Sequence, residues 1–205
     1  MFPRLAIPVA LCLYALFSGL KAAPACAGTL PLPTVSYSAD RVIESDAGTM
    51  TGKVYASQGM ERQETNISGM QSVIILRHDK QVGYVLMPSQ HMYQQLDLAT
   101  AQKQSSAQAA DLVDITKMGY DKVEGSYATK YKMQMKDGSA GGFIWINSHN
   151  IPVKVDVVSK NGREKTRMTL TLRNVQIGVQ DPQLFEVPHD FTATQRFGGV
   201  MEMPG

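Results

Sequence analysis

Cysteine is almost missing from this chain. Its 205 residues hold two, Cys12 and Cys26, both near the N-terminus. Without that stretch no disulfide is available, and the rest must stabilise itself by burying a core. Tryptophan occurs once, at Trp145, and histidine four times. His78, His91, His149 and His189 lie at none of the short spacings that hold zinc, so no metal site is expected. There is no G-x-S-x-G elbow, and His78-Asp79 reads as a turn. Gly138-Ser139-Ala140-Gly141-Gly142 lacks the Lys-Ser/Thr of a phosphate loop and reads as a hairpin loop. No catalytic residues and no cofactor are expected.

A surplus of charge is also lacking. The chain has 20 Lys+Arg and 18 Asp+Glu, and two of the basic residues, Arg4 and Lys21, fall in the first 27. Beyond that stretch the count is 18 against 18. A neutral chain gives no electrostatic case for nucleic acid or for an anionic membrane.

The N-terminus, by contrast, is distinctive. Arg4 precedes an apolar run from Leu5 to Leu20, followed by Ala22, Ala23, Ala25 and Ala27. This is the architecture of a secretory signal peptide, too short and too proline-interrupted for a membrane span. Residues 1–27 are read as the signal and 28–205 as a single exported domain. Cleavage fits after Ala25 or Ala27. A small residue before Cys26 also resembles a lipobox, but Ala23-Pro24-Ala25 lacks the usual Leu and carries a misplaced Pro. The expected location is the periplasm.

The exported part is rich in period-two alternation. Tyr127, Thr129, Tyr131, Met133 and Met135 alternate with Ala128, Lys130, Lys132 and Gln134, which predicts an antiparallel strand with one wet face. Val153, Val155 and Val157 alternate with Lys154 and Asp156, and Met168, Leu170 and Leu172 with Arg167 and Arg173. Between those two segments, Asn161-Gly162 supplies the positive φ angles of a type I′ turn. Further strands are expected at residues 35–44, 50–56, 61–67, 71–77, 82–87, 91–96 and 143–147. Helix is scarce. A helical stripe is read over 111–118 from Leu112, Val113, Ile115 and Met118, and a short helical turn from Asp181-Pro182 to Phe185. Residues 99–110 read as a mobile helix or loop, and the tail after Phe191 as loose.

Three stretches carry a resemblance. They are Gly69-Met70-Gln71-Ser72-Val73-Ile74-Ile75-Leu76-Arg77-His78-Asp79-Lys80 with the following Val82-Gly83-Tyr84-Val85-Leu86-Met87-Pro88, then Gly125-Ser126-Tyr127-Ala128-Thr129-Lys130-Tyr131, and finally Gly178-Val179-Gln180-Asp181-Pro182-Gln183-Leu184-Phe185-Glu186-Val187-Pro188. Together they resemble an uncharacterised family of exported bacterial proteins, similar in turn to the lipoprotein carrier LolA and receptor LolB. The resemblance implies a β-rich α+β half-barrel. In it, one curved antiparallel sheet holds one or two short helices on its concave side, with an apolar cavity for acyl chains. One feature departs from the carriers, which have an amphipathic helix ahead of the first strand. Here Pro31 and Pro33 exclude one.

The expected function is non-catalytic binding of a hydrophobic ligand, a lipid or an acylated envelope lipoprotein, in the concavity. The expected wall residues are Val73, Ile75, Tyr84, Leu86, Tyr131, Met133, Trp145, Val155, Leu170 and Leu172. Two alternatives remain. A protein-interaction module would use the same surface to dock an envelope partner. A copper handler would use the methionines as soft ligands, although flexible gap-filling explains them as well.

Overall fold

The computed structural model describes residues 30–67, 69–99, 113–162 and 164–194. The expected signal, residues 100–112 and residues 195–205 lie outside them. The described chain forms one sheet in the order β12-β6-β5-β4-β3-β2-β1-β11-β10-β9-β8-β7. The strands are β1 (Tyr37–Ser45), β2 (Gly48–Ser57), β3 (Met60–Ile67), β4 (Met70–Arg77), β5 (Val82–Met87), β6 (Met92–Asp97), β7 (Val113–Val123), β8 (Ser126–Met135), β9 (Ala140–Ile146), β10 (Pro152–Asn161), β11 (Glu164–Ile177) and β12 (Thr192–Ala193). Two antiparallel meanders, β1–β6 and β7–β11, join where β1 pairs with β11. Apart from the parallel β12–β6 contact, every pairing is antiparallel. The expected curved antiparallel sheet is therefore present.

Short turns set the registers. Asn161 faces Glu164 across the β10–β11 turn. The Asn-Gly hairpin is present, with its turn one residue later than expected, and Gly162 takes the positive φ of 60°. The β4–β5 turn closes through Gln81 at φ 55°, and the β7–β8 turn through Glu124 and Gly125 at 47° and 82°.

Two expectations need correction. Val113–Met118 is strand, not helix: Val113, Ile115 and Lys117 pair with Met135, Met133 and Tyr131. Val113 and Ile115 satisfy both periods, and β-branched residues beside a ready strand β8 favour the sheet. The tail is not loose immediately after Phe191, because Thr192 and Ala193 pair with Met92 and Tyr93. The short helical turn is found at Pro182–Phe185, capped by the Asp181 side chain, which accepts from the Gln183 N–H.

The direction of curvature can be read at two glycines. Directly paired residues share a face of the sheet, so Gly52 lies on the same face as its partners Arg41 and Thr65. A Cβ added on that face at Gly52 would sit 1.8 Å from the Glu64 carbonyl oxygen. At Gly142 it would sit 2.0 Å from the Asp156 carbonyl oxygen. In both places the neighbouring backbone has swung toward this face, which is how glycine permits a sharp bend in a sheet. The sheet is concave there.

The concave face carries Ala39, Ile43, Val54, Ile144, Val155, Val157 and Leu172, all buried. The convex face carries Asp40, Lys53, Glu64, Lys130, Lys154 and Asp156, and is mostly charged. A large apolar area on it, over β4 and β5, is roofed by the C-terminal segment. Phe185, fully buried, packs with Val73, Ile75 and Leu86, and Leu184, Val187 and Phe191 pack around them.

This C-terminal strap is also tied by charge. Arg77 is 6% exposed and donates to both Asp79 oxygens, to the Phe185 carbonyl and to Glu186. Arg62 donates to the Leu184 carbonyl at 3.1 Å. The hydrogen bonds from Arg77 hold Asp79 below its usual range. Burial pulls Glu186 upward, but Arg77 and Lys80 outweigh it and hold this carboxyl low as well. Carboxylates with depressed folded values stabilise above the ordinary carboxylate range, and that contribution disappears as pH falls through the depressed values. Both carboxylates are well hydrated, so Arg77→Gln is expected to cost only about 1–2 kcal/mol. Denaturant titration should show this difference at neutral pH and a smaller one at acid pH. Equal losses at both would show that the arginine acts by packing alone.

Candidate functional site

The concave face is a candidate site. Across β8, β9, β10 and β11, its side chains run Tyr131, Ile144, Val155, Leu170 in one directly paired row. Met133 and Leu172 flank that row. Tyr131, Met133 and Leu170 are half-buried, whereas Ile144, Val155 and Leu172 are buried. On β7 and the start of β8 the same face opens to solvent: Tyr120 is 73% and Tyr127 75% exposed. Lys117 lies 5.1 Å from the Tyr120 ring centroid and Lys122 5.9 Å from that of Tyr127. The lip of the apolar face is thus a band of tyrosine and lysine.

Within the apolar face sits a buried polar network. Arg41, 4% exposed, donates to Gln63 Oε1 at 2.5 Å and to the Thr65 hydroxyl. Gln63 Nε2 donates in turn to Glu61 Oε1 at 3.0 Å. Burial, and then the Glu61 charge, push the Tyr37 hydroxyl far above its usual value. Arg41 reaches β3 because its partner on β2 is Gly52, which has no side chain in the way. The network is a specific internal device, since a buried cation is costly unless its hydrogen bonds are satisfied. Its trace in the sequence is one charged residue on the apolar parity of β1, Tyr37-Ala39-Arg41-Ile43. Arg41 is not among the expected wall residues.

The ten expected wall residues do not share a face. Tyr131, Met133, Val155, Leu170 and Leu172 lie on the concave side. Val73, Ile75, Tyr84, Leu86 and Trp145 lie on the convex side. The first four of these form the floor beneath Phe185. Alternation within the strands that carry these ten residues was read correctly. The face each strand's apolar parity occupies depends on register, and one residue's shift reverses it.

Trp145 has a different environment from the one expected. It is 6% exposed, and its indole N–H donates to Asp121 at 3.1 Å. Lys130 and Lys154, its cross-strand neighbours, place ammonium groups 5.0 and 5.1 Å from the ring centroid. Lys130 also lies 4.4 Å from the Phe143 centroid. Asp121 is held low first by the indole hydrogen bond and further by the two lysines. Nearby, Arg167 binds both Asp156 oxygens, at 2.9 and 2.6 Å, and holds that carboxyl low.

A cleft of about 380 Å³ opens on β1, β2 and β11, among Ser38, Asp40, Lys53, Tyr55, Asn174 and Gln176. It is polar, and the Asp40 carboxylate inside it already accepts from Asn174 at 2.7 Å. Among the described residues, no three His, Cys, Asp or Glu side chains converge as a metal site. The histidines lie in turns and loops, and His91 pairs with Asp190 at 2.8 Å.

Residues 41–151, from Arg41 on β1 to the entry of β10, match the family described as Domain of unknown function (DUF4412). The chain belongs to this DUF4412 family. The matched stretch contains Arg41 with Gln63 and Thr65, the β7–β8 lip and Trp145 with Lys130. No curated protein sequence matches the chain. In fold it is similar to a chain of the Pseudomonas aeruginosa MucA/MucB complex, at 15% identity and a TM-score of 0.54, over 80% of this chain and 59% of that one. A second structure, MucB in complex with MucA(peri), gives 13% identity and a TM-score of 0.52 over 80% and 58%. An uncharacterized conserved protein from Thermus thermophilus gives 13% and 0.56, over 91% and 98%. The DUF4412 chain thus spans less than two thirds of these MucB chains. The likeness is one of fold.

Proposed function

We propose that this chain is a non-catalytic protein of the cell envelope that receives a hydrophobic ligand, a lipid or the acyl chain of a lipoprotein, on its concave face. The observation that carries the reading is the continuous apolar row Tyr131–Ile144–Val155–Leu170 ending at an open tyrosine lip. Apolar burial supplies the driving force, at about 25 cal/mol per Å² removed from water. Tyrosines at the lip suit a boundary with one apolar and one wet side. The signal architecture of residues 1–27 supports the envelope location, and N-terminal sequencing of the exported protein should find Met1 removed.

The test is displacement of an environment-sensitive naphthylamine dye. The folded protein should bind the dye and release it to palmitate or phospholipid. Leu170→Asp places a carboxylate at the β11 end of the apolar row and should abolish dye binding while circular dichroism keeps the β signature. Retained dye binding in a folded Leu170→Asp protein would refute the site.

A second reading, a protein-interaction module, is favoured by one observation. Met118, Tyr120 and Tyr127 expose 55%, 73% and 75% of their surface on a single hairpin. The similar MucB fold is found in complex with MucA. If the dye does not bind, this reading takes precedence, and Tyr120→Ser/Tyr127→Ser should weaken partner capture.

A further inference from the structure

The convex face of β8, β9 and β10 has features that the concave-face reading leaves unused. Lys130, Lys132 and Lys154 project from it around Phe143 and Trp145. Among the described residues none of the three forms an ion pair. The surrounding carboxylates are already engaged: Asp121 by the Trp145 indole, Asp156 by Arg167, and Glu124 by Arg173 at 3.5 Å. On β8, β9 and β10 the patch carries Lys130, Lys132 and Lys154 against one carboxylate, Asp156. Two of its ammonium groups are fixed over one indole ring, so much of the side-chain entropy of the long lysines is already lost.

We propose that this platform docks an acidic, extended segment of a partner protein, whose carboxylates bridge Lys130, Lys132 and Lys154. Charge complementarity names the occupant. The ammonium groups of Lys130 and Lys154 flank the same ring, so neighbouring carboxylates of one extended segment can reach both. A bilayer fits the patch less well. Among the described residues of β8, β9 and β10 this face projects no large exposed apolar side chain, since Tyr120 and Tyr127 point to the other side. Its interspersed Asp121, Glu124 and Asp156 would meet anionic headgroups directly. A chain can pass between those carboxylates. This inference does not depend on the concave face binding a ligand.

Trp145 is the chain's one tryptophan and lies beneath the lysines, so its emission reports on the platform. The full exported protein is titrated with a synthetic peptide of alternating glutamate and serine, by fluorescence and by calorimetry. Peptide addition should change the emission, and binding should weaken as salt is raised. Lys130→Gln/Lys132→Gln/Lys154→Gln should lower affinity by about tenfold or more. Lys117→Gln/Lys122→Gln, on the opposite face, should leave it unchanged. If the triple variant loses its circular dichroism, Lys132→Glu alone, at an exposed position, serves instead and should weaken binding. No peptide binding, equal binding by the lysine variants, or binding only to phosphatidylglycerol vesicles would overturn the proposal.

Discussion

Gly52→Val is expected to prevent the protein from reaching its native sheet, with a loss of about 4 kcal/mol or more. Even the first atom of a side chain would lie 1.8 Å from the Glu64 carbonyl oxygen. That atom is backbone, held by the β2–β3 ladder on both sides of Gly52, where Thr51 faces Asn66 and Lys53 faces Glu64. A flexible side chain could turn aside, but here the ladder itself must open. The same displacement carries Thr65 and Gln63 away from Arg41, leaving a buried guanidinium short of acceptors. Gly178→Ala is the control, because nothing lies within 4 Å of its added Cβ and its φ is not positive. It should change stability by less than about 0.5 kcal/mol. Urea unfolding of both variants checks this. A native-like midpoint for Gly52→Val would mean that the bend at β2–β3 is softer than the close approach implies.

That bend marks the limit of what could be read from the residues alone. The strands were legible because single-layer sheets impose period two on each strand locally. Val82–Met87 was anticipated to the residue, and most others within two. The expected inward parity of Tyr131, Met133, Val155, Leu170 and Leu172 coincides with the concave side. The parity of Val73, Ile75 and Leu86 is equally apolar, yet those residues face outward. Nothing within β4 or β5 distinguishes the two cases. The difference lies in Phe185, about a hundred positions later, which supplies a second apolar cover for the convex side. Trp145 was misplaced for a related reason. Between Ile144 and Ile146 its surroundings look apolar throughout, and only cross-strand pairing puts it beside Lys130 and Lys154 rather than Leu170. Local pattern therefore gave the elements, while long-range pairing decided the site.

Phe185→Ala should be the most damaging substitution outside the sheet, at about 3–5 kcal/mol. The side chain is fully buried and touches Val73, Ile75 and Leu86, which are themselves 0–1% exposed. Truncation leaves a cavity over these three, and the strap that could collapse into it is anchored at both ends. Arg62 and Arg77 hold the Leu184 and Phe185 carbonyls upstream. Downstream, the Thr192 N–H donates to the His91 carbonyl at 2.8 Å, and the Thr194 N–H to that of Tyr93 at the same distance. Anchored ends limit relaxation, so the cost should fall in the upper part of the range. The loss should also be regional. Hydrogen exchange in β12 and along β6 should accelerate most, because these edge strands depend on the strap, whereas β1 and β11 at the centre should follow only global unfolding. Val179→Ala, at a side chain 96% exposed, should be neutral. A uniform acceleration in all strands would show that the strap and the sheet unfold as one unit. Unchanged exchange in β6 with a small loss of stability would show that Phe185 is not the anchor its burial indicates.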